Sequence, residues 1–262
     1  IFVISFSLIA IITLPSIWKS IEKFSPGDDY RLPYHLGSDY WFYQRYSELA
    51  HSKYKTVIIG DSVIWGHYVT KNQTLSYYLN EVSGENKFAN LGIDGMHPAA
   101  LEGLVRYYGK DIKNKNVILH LNLLWLSSPK HDLQTEKDFR FNHPKLVSQF
   151  KTKIPCYTAP FTSRLSIALE RHFTFPAWVS HLNIAYFQNT NMPAWTVENP
   201  YKNPLSTIDS NILEEKPRDT FVSDNKTSSG DFQWVQANTS LQWKFFRNTI
   251  KLLQERKNKI LE

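Results

Sequence analysis

The sequence predicts an α/β protein built on a parallel, doubly wound sheet, and three observations carry that expectation. Short runs of apolar and β-branched residues recur at Thr56–Ile59, Lys87–Leu91 and Lys115–Leu121, each the length of a buried strand rather than of a helix. Two segments of helical period separate these runs, and strands joined by helices of that size lie parallel with right-handed crossovers. The third observation is a repeat. One helix passes through Lys113-Asn114-Lys115 into the strand NVILHL, and the last helix passes through Lys257-Asn258-Lys259 into Ile260-Leu261, which reads as the start of a fourth strand.

Residues 1–18, IFVISFSLIAIITLPSIW, carry no charge before Lys19, Glu22 and Lys23. That approaches the roughly 20 residues of a bilayer-spanning helix. The segment reads as a transmembrane or signal-anchor helix that continues a hydrophobic stretch begun earlier. A cleaved signal peptide competes, although no small-x-small cleavage pattern follows, and a buried core helix is the remaining alternative. Residues 19–54, punctuated by Pro26, Gly27, Pro33 and Gly37, read as an irregular aromatic linker.

The core begins at residue 55. Its first strand, TVII, stops at Gly60-Asp61-Ser62, a strand-ending and helix-capping combination that by itself makes Ser62 an N-cap. Thr74 caps a helix that carries Leu75, Tyr78, Leu79 and Val82 on one face and ends at Gly84. The second strand closes in Asn90-Leu91-Gly92-Ile93-Asp94-Gly95. Pro98 opens a helix that buries Leu101, Leu104, Val105 and Tyr108 and stops at Gly109, and the third strand ends at Asn122. Residues 55–126 therefore form the first part of the core. Residues 127–238 are broken by prolines, dense in aromatics and free of any βα repeat, so they read as a large irregular insertion or cap, with Glu214 to Gly230 polar enough for a mobile loop. Residues 239–262 return to the core with a helix from Ser240 to Arg256, whose Trp243, Phe246, Ile250 and Leu253 share a face, and with the start of the fourth strand. We expect the sheet to continue past Leu261.

Composition narrows the function classes. The 262 residues are 42% hydrophobic and 15% aromatic, enough for one large core or two modest ones. The net charge of +6 is scattered, with local clusters such as Arg256-Lys257-Asn258-Lys259 at a helix end, and no nucleic-acid motif accompanies it. A single cysteine, Cys156, excludes an internal disulfide and a thiolate metal cluster, and no histidine pair has the helical spacing of metal ligands. No cofactor, metal or nucleic-acid partner is implied.

In an open sheet of flavodoxin-like order, the first strand lies between the second and third, and ligands bind beyond the carboxyl ends of the strands where the order reverses. Ser62, the Gly92 N–H and Asn122 follow those three strands in turn. A serine at a helix N-terminus, flanked by a backbone amide and a side-chain amide, is what attack on a carbonyl and retention of the oxyanion require. The nucleophile elbow G-x-S-x-G is not matched, because Ile64 stands two positions after Ser62.

With these residues in place, the chain resembles the SGNH, or GDSL-type, hydrolases: Gly60-Asp61-Ser62 after the first strand, Asn90-x-Gly92 after the second and x-x-Asn122 after the third. The resemblance covers residues 55–125. It implies the three-layer α/β/α fold of that family, a nucleophilic Ser62, and an oxyanion hole made by the Ser62 N–H, the Gly92 N–H and the Asn122 side chain. Gly60, Asp61 and Asn90 would support the turns. Two positions depart from the pattern. His120 stands where the third block usually begins with glycine, and the Asp-x-x-His block that brings the base is absent, since no histidine follows His181. We expect that block in a segment beyond residue 262. His97, Asp94, His120 and Trp65 are pocket candidates, with His97 the candidate substitute base. Trp195 and Tyr201 are candidates for stacking on sugar rings, against packing within a cap. The resemblance implies an O-acyl esterase or acyltransferase acting on an acylated small molecule or cell-envelope polysaccharide, and the apolar residues 1–18 add the expectation of a membrane anchor with an extracytoplasmic domain, periplasmic or at the cell surface. A binding or assembly protein that keeps the fold as a platform is the rival from another class.

Overall fold

The computed structural model of the chain describes residues 2–135, 142–207 and 232–261. Four short strands, β1 (Thr56–Ile59), β2 (Phe88–Asn90), β3 (Asn116–Leu119) and β4 (Lys259–Leu261), pair in parallel in the order β2-β1-β3-β4. The register sets Val57 against Ala89 on one side and Val117 on the other, and Val117 against Ile260. The expected fourth strand thus lies in the sheet. Around it run α1 (Phe2–Ile21), α2 (Tyr40–Lys53), α3 (Ser62–Trp65), α4 (Leu75–Ser83), α5 (Pro98–Gly103), α6 (Phe161–His172), α7 (Thr174–Ala185), α8 (Met192–Glu198) and α9 (Leu241–Glu255).

All four β1 residues are buried, which accounts for their uninterrupted apolar character. The alternate positions Val57, Ile59, Ala89, Val117 and Leu119 join residues of α2, α5 and α9 in one core. Leu101, Leu104, Val105 and Tyr108 are buried as expected, though the turn Leu104–Tyr108 that continues α5 widens to π-helical winding. Gly103 lets this helix lie directly on the 146 loop, because a Cβ there would sit 1.8 Å from the Leu146 carbonyl oxygen. The α9 N-terminus is held by Ser240, whose Oγ accepts from the Trp243 N–H at 2.9 Å, and by the buried Asp132 carboxylate, which accepts from the N–H groups of Leu241 and Gln242 at 2.8 and 3.0 Å. A carboxylate at that end also complements the helix dipole. At the other end Asn258 accepts from the Lys115 N–H and donates to the Ile112 and Leu253 carbonyls, so the second Lys-Asn-Lys turn is bonded onto the chain beside the first.

On α4, Thr74 and Gly84 cap as expected, yet the apolar face turns outward. Leu75, Tyr78 and Val82 are exposed, while Ser76 and Asn80 are buried. The reason lies at the edge of the sheet. Asn80 accepts from the Lys87 and Phe88 N–H groups, both at 2.9 Å, and donates to the Phe88 carbonyl at 3.1 Å, satisfying backbone groups of the edge strand β2.

Two expectations are corrected. The stretch 19–54 is not an irregular linker, because it contains α2, a 14-residue helix capped by Asp39, whose Tyr43, Tyr46 and Ala50 lie in the core. Arg45 and Ser47 are buried as well, and polar residues on the inward face hid the helical stripe. The insertion is likewise helical where described: α6, α7 and α8 fall within it, and α7 packs on α1 and α2. The Glu214 to Gly230 stretch lies outside the described residues.

The first helix extends to Ile21. Its 20 residues cover about 30 Å, long and apolar enough to cross a membrane or to act as a signal sequence. Within it only Pro15 is buried, and Phe2, Val3 and Phe6 are almost bare. It joins the body at its carboxyl end, where the Trp18 ring meets Trp178 and Tyr186 at 6.1 and 5.5 Å.

Just past that helix lies a buried ionic network. His181 Nδ1 is 2.6 Å from Asp39 Oδ2 and its Nε2 is 2.8 Å from Glu22 Oε1, which also accepts from the Tyr186 hydroxyl at 2.6 Å. Arg45 pairs with Glu22, and the Trp41 ring lies 4.4 Å from the imidazole. Burial alone would lower the His181 pKa, but the two carboxylates outweigh it and push the group up to about 9. Burial alone would raise Glu22, but its bonds from His181 and Tyr186 and the charge of Arg45 hold it below its ordinary value.

The sign of the pH dependence follows. The His181 contribution is complete below the ordinary value of 6.5 and is lost as pH rises through about 9. The Glu22 contribution is complete above 4.5 and is lost as pH falls through its lowered value. Urea midpoints should therefore be highest between pH 4.5 and 6.5 and decline on both sides. His181→Gln should flatten the alkaline decline and cost about 3–5 kcal/mol at the optimum, the usual result of removing one partner from a buried ion pair. An alkaline limb unchanged by the substitution would assign the effect elsewhere.

Candidate active site

The strand order reverses at β1, so the crevice available to a ligand opens beyond its carboxyl end. Gly60 is there by necessity: a Cβ would sit 2.5 Å from Ile64 Cγ1 and 2.9 Å from His120 Cβ. Asp61, rather than Ser62, caps α3, accepting from the Val63 N–H at 3.0 Å. Ser62 becomes the first residue of a single helical turn, half-buried, and its hydroxyl makes no hydrogen bond among the described residues. Gly66, in the left-handed region at φ 87°, ends that turn, and the N–H groups of Gly66 and His67 both donate to the Ser62 carbonyl.

The end of β3 converges on Asp61. His120 Nδ1 lies 3.5 Å from Asp61 Oδ1, a close polar contact without good hydrogen-bond geometry. Asn122 caps the turn Leu123–Leu126 by accepting from the Leu124 N–H at 3.0 Å, and its side chain also reaches the Asp61 carboxylate. Burial pushes Asp61 up, but the contacts from His120, the Val63 amide and Asn122 outweigh it and hold the carboxyl below its ordinary value. Asp61 is thus an ionised anchor at 4% exposure, joining the loops after β1 and β3.

The end of β2 is tied to the same turn. Asn90 donates to the Ile64 carbonyl at 2.8 Å and accepts from the Gly92 N–H at 3.0 Å. Gly92 lies so close to α3 that a Cβ would approach the Trp65 nitrogen to 2.5 Å. Its N–H, expected as an oxyanion donor, is engaged with Asn90 in this conformation.

Beyond Gly92 the loop presents Asp94, whose Oδ1 lies 2.5 Å from His67 Nδ1. His67 went unnoticed in the sequence because the base was sought in an Asp-x-x-His block. The signal was its place in the same Gly60–His67 stretch as the serine. Asp94 also lines a cavity of about 370 Å³ together with Tyr34, His35, Ser38, Asn142 and His143.

The remaining candidates resolve differently. His97 is not a pocket residue. At 1% exposure its Nε2 bonds the Asn142 carbonyl at 3.0 Å and its Nδ1 faces Gln242 of α9, and burial pulls it down to about 4. It joins α5, α9 and the 142 loop as a neutral core residue. Trp65 is buried too, donating to the Leu32 carbonyl at 2.7 Å beneath the Arg31 guanidinium. Trp195 packs against Phe187 inside the insertion, whereas Tyr201 is 99% exposed. Exposed apolar side chains adjoin the site in sequence: Val63 beside Ser62, Tyr68 beside His67, and Leu123 and Leu124 after Asn122. Among the described residues no group of three or more potential metal ligands is assembled. Compared with family models, curated proteins and solved structures, the chain finds no match.

Proposed function

We propose that the protein is a serine-dependent O-acyl ester hydrolase or O-acyltransferase that forms an acyl intermediate on Ser62. One observation carries this reading: Ser62 opens a helical turn at the carboxyl end of the central strand, with Asn122 from the end of β3 and the Asn90–Asp94 loop from the end of β2 gathered around that turn. In the resemblance to SGNH-type hydrolases, those positions hold the nucleophile and the oxyanion donors. The exposed Val63, Tyr68, Leu123 and Leu124 offer apolar surface for an acyl group. The apolar helix α1 supports a membrane-anchored protein with an extracytoplasmic domain, and by resemblance the substrate is an O-acyl, in the first instance O-acetyl, ester of a cell-envelope polysaccharide or small molecule. Water accepts the acyl group in hydrolysis and a sugar hydroxyl accepts it in transfer.

A specific observation favours the rival, a binding or assembly protein of the envelope: the Gly92 N–H is already satisfied by Asn90. Catalysis therefore requires that amide to turn, or the oxyanion to be held by the Ser62 N–H and Asn122.

In the full-length protein, Ser62→Ala should abolish both turnover of an aryl acetate and covalent labelling by a fluorophosphonate. Asn122→Ala should permit labelling but slow turnover by about 10²-fold to 10³-fold, the usual effect of losing one oxyanion donor. Absence of labelling and turnover across a panel of acyl esters would favour the binding protein. Fractionation should place the full-length protein with membranes, and recovery of unprocessed protein in the soluble fraction would remove the anchor.

A further inference from the structure

We infer that His67 is the general base for Ser62 and that Asp94 is the carboxylate that orients it. The assignment rests on the serine reading above and supplies the function expected of an Asp-x-x-His block from residues already close to the nucleophile.

Position comes first. Because Gly66 breaks the helix after one turn, the His67 N–H lies 3.0 Å from the Ser62 carbonyl oxygen, which sets the two residues side by side in space. Trp65 shares the Ser62 face of the turn, being three residues on, and its ring centroid is 6.1 Å from that of His67. The His67 imidazole thus stands beside the turn that Ser62 opens.

Orientation comes second. In the 2.5 Å contact between His67 Nδ1 and Asp94 Oδ1, the Nδ1–H donates to the carboxylate, so that Nε2 carries the lone pair in the neutral ring. Asp94 is itself fixed. Its carbonyl bonds His143 Nε2 at 2.8 Å, and His143 Nδ1 bonds the Tyr40 hydroxyl of α2 at 2.9 Å. The His67 and Asp94 side chains are 28% and 21% exposed, open enough to meet a substrate and close enough to hold their geometry.

The other histidines near the strand ends have different work. His97 is sealed in the core, His120 faces Asp61, and the His143 ring spans Tyr40 and the Asp94 backbone.

The chemistry balances without an added co-reactant. As Ser62 Oγ bonds the ester carbonyl carbon, its proton passes to His67 Nε2. When the tetrahedral intermediate collapses, the bond from that carbon to the alcohol oxygen breaks, and the same proton leaves with the alcohol. A water or acceptor hydroxyl then gives its proton to Nε2 and attacks the acyl carbon, after which the Ser62 ester bond breaks and Oγ recovers the proton. Asp94 stays ionised throughout and holds the imidazolium.

The test uses the full-length protein, with Ser62 labelling by a fluorophosphonate and hydrolysis of an aryl acetate read side by side. His67→Ala should slow labelling and kcat by about 10²-fold to 10⁴-fold with little change in KM, and added imidazole should restore part of the rate, which a merely structural role would not allow. Asp94→Asn should keep the fold, slow both rates and alter their pH profile. If Ser62 labels at the wild-type rate in both variants, His67 is not the base while the serine reading stands. If wild-type Ser62 neither labels nor turns over, the serine reading falls and the base assignment with it. Should His67→Ala not fold, an Asp94→Asn protein with wild-type rates and pH profile overturns the dyad by itself.

Discussion

The buried contact of His181 with Glu22 and Asp39 is the constraint on which much of this structure depends. Asp39 has two tasks. One carboxylate oxygen accepts from the Phe42 N–H and starts α2, and the other faces His181 of α7. Glu22 receives the second imidazole nitrogen, the Tyr186 hydroxyl and Arg45, so the end of α1, the middle of α2 and the carboxyl end of α7 meet at one charged point. Charges this deep are tolerable only because each has its counter-charge and its hydrogen bonds. The same arrangement makes the body sensitive to loss of any one of them.

The consequences reach the strand ends through a line of bonded groups. Tyr40, next to Asp39, meets His143, His143 meets the Asp94 backbone, and the Asp94 carboxylate meets His67. A second set of fixed polar groups surrounds Ser62 from the sheet itself, with Asp61 joining β1 to β3 and Asn90 joining β2 to α3. Most of the polar side chains here serve position, holding the loops at the strand ends to one another. Rigidity of this kind also explains the close backbone packing at Gly60 and Gly92, where any side chain would displace the turn.

The apolar helix α1 is coupled to the same body by few but specific contacts. Trp18 packs between Trp178 and Tyr186, and Glu22 follows immediately. The rest of the helix carries apolar surface into solvent, which water disfavours at about 25 cal/mol per Å² and a hydrocarbon phase does not. A helix that ends in a buried ion network has a fixed point of departure from the domain.

What the sequence determined by itself is what depends on near neighbours. TVII and NVILHL read as strands because short β-branched and apolar runs of that length suit a buried strand, and TVII is buried on both faces. Thr74, Gly84, Pro98 and Ser240 read as helix boundaries because their chemistry acts within one turn. The three polar blocks at the strand ends were legible for the same reason, and so was the repeated Lys-Asn-Lys approach to β3 and β4. Tertiary structure alone decided the rest. The stripe of α2 was illegible because the charge that neutralises Arg45 comes from Glu22, across the chain's first turn, and the outward apolar face of α4 because Asn80 is claimed by the edge strand. The surroundings of two histidines were hidden in the same way. His97 is sealed by Gln242 of α9, and His67 is aligned by Asp94 of another loop. Periodicity and capping state what a residue requires of its surroundings, whereas a buried charge or an imidazole takes its role from a partner remote in sequence, and only folding supplies that partner.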